Sequence, residues 1–418
     1  MKKSITVSQI AAVAAGNALE FYDFTTFAFF AIQIGQSFFP SSDDSGKLLL
    51  SLATFGVGFL TRPLGGVVIG NLGDRWGRKP AMLLCFGLMG LAILGLALTP
   101  SYSRIGIAAP FLVVGFRLLQ GFALGGEVGP ATAFLMEAAP VERRGLYVSM
   151  QFATQNLSIM AAGMVGLILS NAMSAQQLSD WGWRIAMLLG TLVVPLGFFL
   201  LNRLPETFHL DHAAPRTKIT RVHLRVAVLG IFMLACGTIS TYTMNYLVTY
   251  GTHTLGLPPR QAFGATVTTG LLGMLCNPIG GVASDRFGRK PVMLAAVALL
   301  LLAALPCFIA MTVFKTPLSL YAGGAVMAAF VGISLPPMLI AVSESLPQSL
   351  RSGGIGTVYA LSITIFGGSA QFVVTWLIGV LHTPLAPGFY LSAATILGLA
   401  AIILMHETAP AIAHSSEP

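Results

Sequence analysis

The chain has 418 residues, 55% of them hydrophobic and 9% charged, with a formal net charge of +8 and a mean hydropathy of +0.80. Soluble domains carry about 25% charged residues, so this composition excludes a string of water-soluble domains. It equally excludes a disordered or low-complexity chain, which needs low hydrophobicity and high charge.

A membrane-spanning helix needs about 20 mostly apolar residues. Punctuation by charge, Pro and Asn/Ser predicts twelve spans: 8–39, 46–73, 79–98, 105–137, 145–173, 182–202, 224–252, 259–283, 291–313, 318–345, 352–381 and 385–405. A transmembrane β-barrel is excluded, because it shows alternating segments of about ten residues rather than long apolar runs. Lys2 and Lys3 before an Ala-rich run mimic a signal peptide. That run continues to Phe39 and carries Glu20 and Asp23, so it reads as the first span.

Lys and Arg in the loops give the orientation. With both termini on one side, 16 of the 23 cations fall on that side and 5 on the other, leaving Arg62 and Arg117 inside spans. Both termini are therefore expected in the cytoplasm of a bacterial inner membrane. The +8 is a topology signal and not a nucleic-acid footprint. Cys85, Cys236, Cys276 and Cys307 stand singly in apolar spans, with no metal or redox spacing. No nucleotide loop, HExxH, GxSxG or Cys/His cluster is present, so neither a cofactor nor an enzyme is expected.

The chain also repeats itself. GNLGDRWGRKP (70–80) returns as GVASDRFGRKP (281–291), Glu137 with Arg144 returns as Glu344 with Arg351, and Pro205-Glu206-Thr207 is echoed by His406-Glu407-Thr408. The expected fold is all-α and integral to the membrane: twelve helices in two pseudo-symmetric six-helix bundles, residues 1–203 and 224–418, joined by a linker at 204–223. Parallel repeats of this kind occur in secondary transporters that bind substrate near the midplane, between the halves.

On these residues the chain resembles the major facilitator superfamily. GNALEFYDFTTFAFF (16–30), Arg62-Pro63-Leu64-Gly65, FRLLQGFALGGEVG (116–129) and DWGWR (180–184) resemble its metabolite:proton symporter family, most of all the citrate and tricarballylate branch. Phe21 departs from that branch, which usually has Gln there. The resemblance implies a monomeric importer of a small carboxylate coupled to the proton motive force, with sodium the alternative coupling ion. Symport of a dicarboxylate, aromatic acid or zwitterionic osmolyte is the alternative substrate reading, and a drug:proton antiporter a further one.

Buried ionisable residues in a span are functional candidates by default. Asn17, Glu20 and Asp23 recur at i, i+3 on one face of the first helix. Glu20 from one side and Arg117 from the other both lie about 18 Å deep at 1.5 Å per residue. Arg117 could receive a substrate carboxylate through its planar fork, with Glu20 or Asp23 taking the proton. A static Arg–carboxylate pair tying the first helix to the fourth is the other reading. Gln151 and Gln155 recur at i, i+4 on the fifth helix, as substrate ligands or as interhelical hydrogen bonds; Asn156 is expected to face elsewhere. Tyr242, Asn245, Asn277, Tyr359 and Gln371 are the candidates of the second half. Glu127 could relay a proton or pair with loop arginines, and Arg62 could clamp a second carboxylate or contact a gate. Asp74, Arg75, Arg78, Asp285, Arg286 and Arg289, with Glu137/Arg144 and Glu344/Arg351, are expected to close the cytoplasmic side. Pro336-Pro337 is a candidate hinge.

Overall fold

The computed structural model describes residues 18, 21–41, 43–76, 78–125, 135, 139–192, 195 and 220–409, of which 70, 71, 73–76, 78, 79, 81, 82 and 348–353 are described by their backbone alone. All regular structure among them is helical. Twelve helical segments follow one another: α1 (21–29 with Ala31–Phe38), α2 (Asp44–Leu60 with Arg62–Trp76), α3 (Arg78–Leu98), α4 (Ala108–Gly125), α5 (Arg144–Ala172), α6 (Trp183–Gly190), α7 (Arg221–Asn245), α8 (Pro259–Phe287), α9 (Arg289–Phe314), α10 (Pro317–Glu344), α11 (Gln348–Ser362 with Gly368–Leu381) and α12 (Ala386–Leu404). Nine helices among the described residues are long and apolar enough to cross a membrane, and Leu83–Leu98 is a shorter apolar one.

Burial runs opposite to that of a soluble protein. Leu60, Val67, Leu302 and Leu318 lie exposed on the outside, while Thr266, Asn277, Ser240 and Gln371 are buried. In lipid every polar group must be satisfied within the protein, so the hydroxyls fold back on their own helices: Ser240 donates to the Cys236 carbonyl at 2.7 Å and Thr266 to that of Phe263 at 2.7 Å.

Several helix ends are written locally. Asp43 opens α2 by accepting from the Ser45 and Gly46 N–H groups at 3.3 and 3.0 Å, a side-chain N-cap. Thr316 accepts from the Ser319 N–H at 3.2 Å and opens α10. The repeated Asp-Arg-x-Gly-Arg-Lys sequence was expected to be a loop. In its second copy Asp285 and Arg286 belong to the last turn of α8, Arg289 starts α9, and Gly288 alone separates them at φ +97°. Only glycine takes that conformation without strain, so a two-helix corner needs this one fixed residue.

Other boundaries also shift. α7 starts at Arg221, ahead of the span start expected at 224, with the Thr220 N–H donating to His223 Nδ1 at 3.2 Å. α10 runs unbroken through Pro336 and Pro337. In α11 a single π-helical turn, Ile363–Gly367, joins the two α-helical parts. Residues 8–17 of the first expected span, 126–134 of the fourth and 196–202 of the sixth lie outside the described residues.

Among the described residues the halves meet most closely where α5 packs on α8 and α2 on α11. Glycines allow the approach: a Cβ on Gly281 would stand 2.5 Å from the Gly145 carbonyl oxygen, and one on Gly56 2.5 Å from that of Gly368. Within the first half, α2 and α4 cross so tightly that a Cβ on Gly121 would fall 1.5 Å from the Gly58 carbonyl oxygen. This crossing sets Arg62 and Arg117 on neighbouring helices around α1.

Candidate substrate and coupling site

Arg117 points from α4 into a box of phenylalanines. Its guanidinium carbon lies 4.8, 4.4 and 5.2 Å from the ring centres of Phe24, Phe27 and Phe55. Arg62, one residue past the Thr61 break in α2, stands 4.7 Å from Phe24 and 4.3 Å from Phe59. Two guanidiniums therefore share the Phe24 ring. Cation–π contact of this kind is worth about 2 kcal/mol when desolvated, and it holds both cations away from lipid.

Arg117 Nη1 donates to Gln120 Oε1, and Gln120 Nε2 donates to Asp23 Oδ2. Arg117 Nη2 also donates to the Phe55 carbonyl at 3.3 Å. The expected neighbourhood of Asp23 and Arg117 is present, but an amide stands between them in place of a direct pair. Gln120 was not among the sequence candidates. Its spacing of three from Arg117 puts both on one face of α4, a signal that was available. The chain of contacts leaves Asp23 Oδ1 and Arg117 Nε buried without a partner.

Gln155 and Asn156 of α5, Tyr242 and Asn245 of α7, Asn277 of α8 and Thr25 of α1 line a cavity between the halves. It measures about 40 Å³, room for roughly three water molecules at about 10–15 Å³ each, so a larger solute enters only when the halves move. Asn156, expected to face elsewhere, lines this cavity beside Gln155. The reason is that Gly273 of α8 lies directly against its amide, with a Cβ there falling 2.2 Å from Asn156 Oδ1.

Gln151 is buried on α5 and outside the cavity wall. Tyr359 of α11 is buried on the side of Gln155, across the halves. Gln371 is buried behind Tyr242, its Nε2 3.5 Å from the Tyr242 carbonyl. Tyr242 forms the partition between cavity and arginines: its ring packs edge-on against Phe24, Phe55 and Phe59 at 6.4, 5.9 and 5.6 Å. Asn17, Glu20, Glu127 and Glu137 lie outside the described residues, as do the side chains of Asp74, Arg75, Arg78 and Arg351.

At the end carrying the repeated motif, Asp285 of the second half accepts from the Gly145 and Leu146 N–H groups of the first at 2.9 and 3.1 Å. It caps α5, where a carboxylate also meets the positive end of the helix dipole. Arg289 holds Asp285 at 2.6 Å and Glu344 at 3.3 Å, and Arg144 reaches Glu344 at 3.9 Å. Glu407, from the second copy of the Glu-Thr echo, accepts from the Arg289 and Lys290 N–H groups at 2.9 and 3.0 Å. Arg286, expected in this cluster, makes none of these ion pairs among the described residues. At the opposite end the halves close through Phe30 and Phe263, whose rings are 5.1 Å apart.

Comparison with known proteins places this architecture. The "Sugar (and other) transporter" family matches residues 7–213 and the "Major Facilitator Superfamily" residues 253–417. The chain is 33% identical to a citrate-proton symporter of Klebsiella pneumoniae, over 96% of this chain and 92% of that one. It is 31% identical to a proline/betaine transporter of Escherichia coli (strain K12), over 98% and 84%. A crystal structure of a D-xylose-proton symporter superposes with a TM-score of 0.76 at 18% identity, covering 96% of this chain and 98% of that one. The chain belongs to the major facilitator superfamily and is a multi-pass membrane transporter, not an enzyme.

Proposed function

We propose that the protein imports a small carboxylate, with a citrate-like tricarboxylate as the leading substrate, together with protons by alternating access. The supporting observation is the buried pair of guanidiniums on Phe24, joined through Gln120 to one acid. Among the described residues this interior holds two cations and one carboxylate, a surplus that suits an anion. Arg117 Nε still has a hydrogen to donate, and Asp23 Oδ1 still has a lone pair free for a proton. Substrate carboxylate and proton thus address two ends of one hydrogen-bonded chain, which couples their binding. Relatedness at 33% to a citrate-proton symporter supports the same reading.

Tyr242, Asn245, Gln155 and Tyr359 complete the substrate site from the cavity side, and Asn17 and Gln151 are assigned to it from the sequence. Asp23 is the proton site, with Glu20 and Glu127 as further relay positions. The functional unit is a monomer in a bacterial inner membrane with both termini cytoplasmic, driven by the ion gradient without a cofactor. The proline/betaine relative raises the osmolyte alternative. Against it, the aromatic faces that could cage a quaternary ammonium already hold Arg62 and Arg117. A dicarboxylate would use the same cationic end.

Radiolabelled uptake into proteoliposomes tests this, with imposed pH or sodium gradients and competition by citrate, tricarballylate, α-ketoglutarate and betaine. Citrate uptake driven by an inward proton gradient is expected. Uptake following sodium at fixed pH would remove the proton role, and competition by betaine alone would remove the carboxylate.

A further inference from the structure

Five of the polar residues lining the cavity already spend a donor hydrogen on their own helices. Thr25 donates to the Phe21 carbonyl at 2.7 Å, Thr241 to that of Gly237 at 2.9 Å and Thr269 to that of Thr266 at 3.2 Å. Asn156 Nδ2 donates to the Phe152 carbonyl at 3.0 Å and Asn277 Nδ2 to the Gly273 carbonyl at 2.7 Å. Each partner is a helix carbonyl, which can only accept. The orientation of both amides is fixed by that fact and does not depend on telling nitrogen from oxygen. The three hydroxyls, on α1, α7 and α8, therefore have only lone pairs left to offer, and the two amides are held with their oxygens free of that contact. Asn277 is the extreme case: it is 0% exposed, it lines the cavity, and its Oδ1 has no partner.

The buried, unpartnered oxygen of Asn277 needs a donor on the solute. A carboxylate has none, and a quaternary ammonium has none. A primary ammonium would donate, but among the described residues the cavity lining contains no carboxylate to balance its charge, and an unpaired buried charge is costly. A hydroxyl donates without carrying charge. Given a carboxylate substrate, as proposed above, we infer that Asn277 is a specificity-determining residue that selects hydroxycarboxylates, accepting the substrate hydroxyl at Oδ1. The two ends of the substrate then divide between the halves: carboxylate toward Arg117 and Arg62 in the first, hydroxyl toward α8 in the second.

Matched pairs differing by one hydroxyl test this in the unmodified protein: citrate against tricarballylate, and malate against succinate, as competitors of labelled citrate uptake in proteoliposomes. The hydroxy acid of each pair is expected to inhibit at about tenfold to hundredfold lower concentration, the range for a buried acceptor gaining or missing its donor. Asn277→Leu, similar in volume but without the acceptor, is expected to erase the difference between citrate and tricarballylate while still transporting tricarballylate, which shows that it folds. If that variant does not reach the membrane, Asn277→Ser supplies a smaller acceptor and is expected to keep a reduced preference. Equal inhibition within each pair overturns the inference while leaving the carboxylate function standing. So does stronger inhibition by aspartate than by malate, or a preference that survives Asn277→Leu. Failure of every carboxylate to enter or compete overturns both.

Discussion

In the first half the membrane interior holds Asp23, Arg62 and Arg117, packed between four phenylalanine rings. The interior of the second half holds Tyr242, Asn277 and Gln371, and its one fully buried charge among the described residues, Arg289, lies at the motif end. One helical plan, repeated, has thus been filled with opposite chemistry. The charged half has the means to hold an anion and a proton, and the neutral half has the means to recognise the shape and hydroxyls of what the anion carries. The balance tilts the other way at the gate, where among the described residues the second half supplies Asp285, Arg289, Glu344 and Glu407 and the first supplies Arg144 and the N–H groups at the start of α5. Rocking the halves therefore breaks ring contacts of Tyr242 at the site and, at the gate, the two bonds accepted by Asp285 and the Arg144–Glu344 pair.

The sharpest way to break this comparison is Arg117→Lys. Lysine keeps the charge but loses the planar fork, the donors to Gln120 and Phe55, and the stacking on Phe24 and Phe27. Uptake is expected to fall by at least about a hundredfold, the scale of disrupting a buried charged network at 3–5 kcal/mol. Near-normal transport would make the arginine a packing element and dissolve the charged half's role. Asp23→Asn comes next. It preserves the contact with Gln120 and removes the titrating group. Accumulation driven by a pH gradient is expected to vanish, while exchange of labelled for unlabelled substrate across the vesicle stays within about fivefold, the effect of one hydrogen bond. Loss of exchange and accumulation together would show that Asp23 holds the site's shape and not its proton.

Asp285→Asn tests the gate with a smaller effect. It weakens a charge-assisted cap on the Gly145 and Leu146 N–H groups and the pairing with Arg289, contacts worth about 1.5–3 kcal/mol. Hydrogen–deuterium exchange read by mass spectrometry is expected to accelerate by about tenfold or more over residues 145–148, with α3 unchanged. Unaltered exchange there would mean the halves are held by the α5–α8 packing alone.

These outcomes bear on what the sequence made readable. The number of helices and the two-fold plan were legible because apolar length and a duplicated Asp-Arg-x-Gly-Arg-Lys survive without any knowledge of packing. Depth, reckoned from rise per residue, set Glu20 level with Arg117; Glu20 lies outside the described residues, and Asp23, three residues on along the same face, is the acid joined to Arg117 through Gln120. Gln120 was missed because a direct ion pair satisfies the same depth argument, and only packing shows that the α2–α4 crossing leaves a gap that an amide fills. Asn156 was misplaced because helical periodicity gives direction about one axis. Which partner occupies that direction depended on Gly273, 117 positions away in the chain. The free oxygen of Asn277 was invisible for the same reason: whether a side-chain acceptor finds a partner is decided by rotamer and helix register, not residue type.

The partition between the halves gives the subtlest test, because Tyr242 belongs to both chemistries. Its ring packs against Phe24, Phe55 and Phe59 of the charged half, while the residue also lines the neutral cavity. Tyr242→Phe keeps the ring and deletes the hydroxyl. If the ring is what matters, KM rises by no more than about fivefold, one hydrogen bond's worth, and kcat is unchanged. Tyr242→Ala removes the ring as well, forfeiting three edge contacts at about 0.5–1.5 kcal/mol each and opening the cavity to the guanidiniums. Substrate should then reach Arg117 without the ring having to move, so kcat is expected to fall with the loss of closure while KM changes little. The opposite pattern, with Tyr242→Phe as damaging as Tyr242→Ala, would make the hydroxyl and not the ring what Tyr242 gives the substrate site, and leave Phe24 and Phe59 as the barrier between the two halves' chemistry.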